Sequence, residues 1–186
     1  TETEKINKDS LDISLDYDSF SCFHDLAKKH ELEYFLIRVS RSRSQGIIYE
    51  EKKTSDIFDD ITEQYSVLTF KAGGYGFSYG FGNELESIKR SFEKSAKLAN
   101  WTSKNTAIKF KIHELSPIKE HVIIPSQKKI MDYDIGEKIE FVKGEAKSAY
   151  ESDTRIKNVS SVLNCASGHS ITYNSSDRFI EKSMDS

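Results

Sequence analysis

Cysteine and proline are nearly missing from this sequence. In 186 residues the only cysteines are Cys22 and Cys165, and the only prolines are Pro117 and Pro125. Two distant cysteines cannot build the disulfide framework of a small secreted domain, so a reducing compartment is the expectation. No apolar run reaches the length of a membrane-spanning helix and no signal-peptide pattern opens the chain, so a cytoplasmic location without membrane contact is expected. The chain begins at Thr1 instead of Met, which reads as a processed or recloned N-terminus. An excess of one charge is also missing. The 27 Lys and Arg residues oppose 30 Asp and Glu, for a net charge of -3, which supplies no global attraction to nucleic acid or to a membrane surface.

What is present suffices for a packed core, with 37% hydrophobic residues. The richest stretch runs from Tyr65 to Asn83, YSVLTFKAGGYGFSYGFGN. It predicts a strand, a tight turn at Gly73-Gly74 and a returning strand, a β-hairpin. Tyr65, Val67 and Thr69 alternate with Ser66, Leu68 and Phe70. On the return, Tyr75, Phe77, Tyr79 and Phe81 share one face, while Gly76, Gly80 and Gly82 lie with Ser78 on the other. The aromatic residues are expected to hold the strand onto the core, and the glycine face to admit a close backbone approach. That makes Gly76, Tyr79, Gly80 and Gly82 the candidates for docking an extended peptide.

The flanking chain predicts an α+β fold of antiparallel sheet covered by helices. Residues 1–14 have no clear period beyond a short pairing segment at Leu11 to Leu15. Phe20, Phe23 and Ala27 mark a first helix capped by Asp18 and ending near His30. Short strands are expected at Tyr34 to Arg43, Gln45 to Glu51 and Ser55 to Thr62, ahead of the hairpin. Asn83 should cap a second helix, with Glu86 at the capping-box position, an apolar stripe of Leu85, Ile88, Phe92, Ala96 and Ala99, and an end near Asn100 where Trp101 seals the core. Ile108, Phe110 and Ile112 alternate with lysines, and Val122 to Ile124 is a second short apolar run. A third helix presents Ile135, Ile139, Val142, Ala146 and Ala149, with Gly144 as its weak point. Alternation through Val159, Ser161, Leu163 and Cys165 predicts a strand, followed by turns at Ser167-Gly168 and at Asn174 to Asp177. The domain reading is therefore an N-terminal α+β unit with a five-stranded antiparallel sheet over 1–104, a crossover over 105–130, and a second α+β unit over 131–186 that reads as truncated.

Three stretches in this order resemble the N-terminal region of the TldD/PmbA family: YFLIRVSRSRSQGIIYEEKKTSDI, then YSVLTFKAGGYGFSYGFGNELESIKRSFEKSAKLA, then IGEKIEFVKGEAKSAYESDTRIKNVSSVLNCASGHSITYNSSDRFIE. The resemblance covers the chain from about Leu26 onward. It implies a peptide-processing zinc metalloprotease, or the paralogous subunit without zinc that partners it, also known as a modulator of DNA gyrase. It implies a homo- or heterodimer, a zinc ion in the full-length protein and an unstructured peptide as substrate. The family's H-E-x-x-x-H motif is absent: His30-Glu31 and His113-Glu114 lack the second histidine. This chain alone is expected to be inactive and without cofactor or metal.

The remaining histidines and cysteines read as structural. His24 and His30 lie about 240° apart around a helix, and Cys22 and His24 about 200° apart, so neither pair converges. His113 and His121 fall in a loop around Pro117, and His169 in an exposed turn. The Gly73 run lacks the Gly-Lys-Ser/Thr of a phosphate loop. Arg38, Arg41 and Arg43, with Lys71, form the one basic patch, and the acidic residues Glu50, Glu51, Asp59 and Asp60 around it favour a solvated face over nucleic-acid binding. The alternative to a TldD/PmbA-like portion is a stand-alone α+β module that binds extended peptide or a nucleic-acid strand.

Overall fold

The computed structural model describes residues 11–107, 112–113, 115–124 and 130–185. Helices α1 (Tyr17–Phe20) and α2 (Cys22–Lys29) lead into strands β1 (Tyr34–Glu50), β2 (Lys53–Lys71) and β3 (Gly74–Phe81). Helix α3 (Leu85–Asn105), strand β4 (Ile118–Ile124), a single 3-10 turn (Ile130–Asp132), helix α4 (Ile135–Ser152) and strands β5 (Ser160–Asn174) and β6 (Arg178–Asp185) follow. The strands form a six-stranded sheet in the order β3-β2-β1-β5-β6-β4. The class is α+β, as the sequence predicts.

Three strands stand where the sequence predicts five. The polar break expected near Ser44 does not end β1, and the one near Glu63 does not end β2. Both strands run on because a two-residue turn at Glu51 (φ 51°) and Lys52 (φ 65°) folds one directly onto the other. The predicted turn at Ser167-Gly168 is likewise strand interior within β5, whereas the turn before β6 is present at residues 175–177, with Asp177 at φ 52°. Ile108 and Phe110, and Pro125, lie outside the described residues.

Two compact units divide the chain, interleaved in sequence. One comprises residues 1–41, 62–122 and 169–182, the other residues 42–61, 123–168 and 183–186. Their limits fall inside β1, β2, β4, β5 and β6 and do not coincide with the seams expected at 105 and 130.

In the first unit, the inward residues of β1 (Phe35, Ile37, Val39) and β2 (Tyr65, Val67) meet Phe20, Phe23 and Ala27 of the first helices and Ile88 and Phe92 of α3. Phe92 is fully buried, its ring 5.2 Å from Phe23 and 5.4 Å from Phe35. Ile13 is buried with them, and its N–H donates to His169 Nδ1 at 3.1 Å. His169 is thus a buried group on a strand, contrary to the exposed turn expected of it. Two caps also differ from expectation. Asp16, two residues before Asp18, accepts the Ser19 N–H to cap α1. Glu84 precedes α3 with no side-chain cap bond, so Asn83 and Glu86 form no capping box. Helix α3 runs five residues past Asn100, and Trp101 is 64% exposed on its outer side, not a seal on the core.

In the second unit, α4 begins with a full capping box between Asp134 and Glu137. Val142 and Ala146 are buried as predicted, but Ile135 is exposed, and Lys138 takes the inward position instead because its Nζ donates to Gln45 Oε1 at 2.6 Å.

Candidate docking site

Strand β3 is positioned by its turn and by what its glycines allow. Lys71 pairs with Gly74, so the turn residues are Ala72 (φ 47°) and Gly73 (φ 81°), one position earlier than Gly73-Gly74. Both residues have the positive φ of the hairpin turn that follows the twist of the strands. Register is antiparallel: Phe70 faces Tyr75, Leu68 faces Phe77, Ser66 faces Tyr79 and Gln64 faces Phe81.

The two faces of β3 are separated as the alternation predicts, but their roles are exchanged. Helix α3 covers the glycine face. A Cβ on Gly76 would lie 1.9 Å from the Ser95 carbonyl oxygen, and one on Gly74 would lie 2.1 Å from the Ser103 backbone nitrogen. The helix meets them with Ser91, Ser95, Ala99 and Ser103, small residues at four-residue steps. Thr69 Oγ1 and Ser95 Oγ share a hydrogen bond of 2.8 Å beneath it, and Thr102 Oγ1 donates to the Tyr75 carbonyl at 2.7 Å. The aromatic residues therefore do not hold the strand onto the core. Tyr75, Phe77, Tyr79 and Phe81 are each more than half exposed. The four-residue spacing of small side chains in α3 is the sequence signal that identifies the buried face.

The opposite face of this unit's sheet is lined by a train of rings. Tyr34 lies 6.0 Å from Phe70, Phe70 lies 6.4 Å from Tyr75, and Phe77 stacks on Tyr79 at 6.3 Å with 29° between planes. Beside the stacked pair is a trough of about 310 Å³ lined by Arg38, Ser40, Gln64, Tyr65, Ser66, Phe77 and Tyr79. Strand β3 also stands at the end of the strand order, so among the described residues its outer edge is not paired with another strand. Of the predicted docking residues, Tyr79 lines the trough. Gly76 faces α3, Gly80 lies against the Tyr65 ring, and Gly82 occupies a left-handed position (φ 92°) where β3 ends.

The basic residues are not one patch. Arg41 pairs with Glu63 at 3.1 Å, and Lys71 pairs with Glu31 at 2.9 Å while donating to the His30 carbonyl. In the other unit, Arg43 and Gln45 both donate to Asp59 and, with the Arg43 bond the larger effect, hold its pKa down to about 2. Arg38 is exposed and has no acidic partner among the described residues.

The histidines are held by structural bonds. Tyr173 donates its hydroxyl proton to Asp177 Oδ1 at 2.8 Å, and His24 Nε2 lies 2.7 Å from that hydroxyl and 2.9 Å from the carboxylate. The Tyr173 bond is the main cause holding the Asp177 carboxyl below its ordinary value, with His24 adding to it; burial, then the Asp177 bond, pushes the Tyr173 phenol up. Next to Asp177 is a second cavity of about 300 Å³ lined by Glu33, Tyr34, His113, Ser175 and Ser176 among others. His30 Nε2 is 2.6 Å from Glu93 Oε2. Burial raises the thiol pKa of both Cys22 and Cys165, as suits packing cysteines. Among the described residues no three His, Cys, Asp or Glu side chains are placed to hold a metal ion. No helix among the described residues is long and apolar enough to cross a membrane.

Comparison with solved structures places this architecture. A TldE from Thermococcus kodakarensis superposes on 89% of this chain with a TM-score of 0.67 and 19% identity, using 37% of its own length. The fold is TldD/PmbA-like. A candidate modulator of a DNA gyrase from Thermotoga maritima matches 91% of the chain (TM-score 0.62, 18% identity), and one from Bacteroides thetaiotaomicron matches 90% (TM-score 0.65, 15% identity). In both, 38% of the neighbour is covered, so the chain spans under two fifths of the structures it resembles. No family model and no curated protein matches the sequence.

Proposed function

We propose that this chain is the non-catalytic portion of a TldD/PmbA-like peptide-processing protein or of its partner subunit, and that it supplies a surface for assembly and for docking extended peptide. The fold makes such a subunit plausible. The observation that carries the docking role is β3, an edge strand whose outward face is a row of exposed aromatic rings. An unpaired edge offers main-chain hydrogen bonds to an added strand, and rings beside it offer apolar area for alternate side chains. Exposed apolar patches of this kind mark interaction surfaces. The zinc chemistry of such a protein would reside in a part of the polypeptide other than these residues.

Rings on an open sheet also suit stacking of nucleic-acid bases. That reading needs several cations to follow the phosphates, and Arg38 is the one basic residue that lines the trough, while Lys71, opposite Gly74, lies on the helix-covered face and is paired there with Glu31.

The test is fluorescence anisotropy of the 186-residue chain with labelled, unstructured twelve-residue peptides, with a single-stranded oligonucleotide of equal length as comparator, and sedimentation velocity for self-association. Saturable peptide binding is expected, weakened about tenfold or more in a folded Phe77→Ser/Tyr79→Ser variant. A chain that binds no peptide, or that prefers the oligonucleotide, overturns the docking role.

A further inference from the structure

The trough beside Phe77 and Tyr79 contains a cation whose position the docking role alone does not explain. On β1, Arg38 occupies the outward face between the buried Ile37 and Val39. No other charged residue lines the trough, and the basic residues Arg41 and Lys71 of β1 and β2 have the parity of the helix-covered face, where they pair with Glu63 at 3.1 Å and Glu31 at 2.9 Å. An Arg that keeps its charge on a sheet face, two strands in from the edge and without an acidic partner among the described residues, is poised for an anion from outside.

We infer that this trough recognises a carboxylate, so that the peptide docking on this face carries either a free C-terminus or an Asp or Glu side chain next to an apolar residue. This rests on the peptide-docking reading and specifies its ligand. The guanidinium is a planar fork that matches the two oxygens of a carboxylate. Around it, Ser40, Ser66 and Gln64 supply hydroxyl and amide groups that can donate to an oxygen the fork leaves free. Strands lie about 4.8 Å apart, so β1 and β3 are separated by roughly 10 Å. A carboxylate at Arg38 therefore leaves the neighbouring side chain lying over the short Ser66 and against the stacked rings of Phe77 and Tyr79. One free cation suits one carboxylate and falls short of a phosphate chain, whose binding needs several.

Three labelled peptides of identical length and core sequence test this on the 186-residue chain: one with a free C-terminal carboxylate after a phenylalanine, one with the same end amidated, and one amidated with a glutamate beside the phenylalanine. One or both carboxylate-bearing peptides should bind about tenfold more tightly than the neutral one, and which of them does so distinguishes C-terminus from side chain. Arg38→Gln should remove that preference, so that all three peptides bind alike, while leaving the thermal midpoint unchanged. Should Arg38→Gln fold poorly, the preference of the unmodified chain and its loss at high salt decide the matter. Equal binding of all three peptides overturns the carboxylate assignment and leaves peptide docking intact. No binding of any peptide overturns both.

Discussion

At the residue scale, Asp177 sits where three side chains converge across 160 residues of sequence. It accepts from the Tyr173 hydroxyl and lies 2.9 Å from His24 Nε2 and 3.4 Å from the Tyr17 hydroxyl, in a turn residue of positive φ. These bonds favour the charged carboxylate, and its folded-state pKa is lowered. A lowered pKa gives stability that is fully present above the ordinary carboxylate value near 4 and is lost as pH falls through the lower folded value. Asp177→Asn should therefore reduce the thermal midpoint at pH 7, and the gap to the unmodified chain should narrow between pH 5 and pH 3. Asp59 and Glu93 titrate in both proteins and cancel from this comparison. A gap that stays constant across that window would mean that shape, and not charge, holds the turn.

At the element scale, alternation in the sequence is enough to find the hairpin and to sort its residues into two faces, because strand side chains have a period of two. It does not say which face is inward. Hydrophobicity alone assigns Tyr75, Phe77, Tyr79 and Phe81 to the core, yet burial there is decided by how near α3 can come. Glycines opposite Ser95, Ala99 and Ser103 bring the helix backbone close to the strand, and four rings would not fit in that gap. The long strands were hidden for a related reason: Ser, Arg, Gln and Asp over residues 40–64 look like turns until neighbouring strands satisfy their backbone groups. Gly76→Ala tests the close contact, since its Cβ would meet helix backbone at 1.9 Å. A destabilisation of roughly 1–3 kcal/mol or more is expected from overpacking against a backbone that cannot turn aside. Gly144→Ala is its counterpart, because a Cβ there meets nothing within 4 Å in the middle of α4. That change should raise stability by roughly 0.5–1 kcal/mol. Urea denaturation of the two variants gives both signs in one experiment, and a neutral Gly76→Ala would show that α3 is free to slide.

At the scale of the whole molecule, the resemblance and the fold agree, while the boundaries drawn from local pattern do not match the compact units. Units built from interleaved segments cannot be read from local composition, because their limits fall within strands and not in loops. The same separation of distant sequence from near space governs metal binding. A structural zinc requires four ligands about 2.0–2.3 Å from one point, and a catalytic one at least three. Here three of the five histidines are committed elsewhere: His24 to Tyr173 and Asp177, His30 to Glu93, and His169 to the Ile13 N–H. His121 comes within 6.4 Å of the His169 ring, but His169 Nδ1 already accepts a backbone proton. Its Nε2 lies 3.6 Å from Glu181, and among the described residues no three His, Cys, Asp or Glu side chains are placed to hold a metal ion together. The purified 186-residue chain, dialysed mildly, should therefore carry well under one zinc per molecule. Added zinc at tenfold excess should leave its thermal midpoint unmoved, whereas a site bound at 100 times its Kd would add about 2.7 kcal/mol to stability. One tightly held zinc per chain, lost together with His121→Ala, would show that His121 and His169 close on a metal after all.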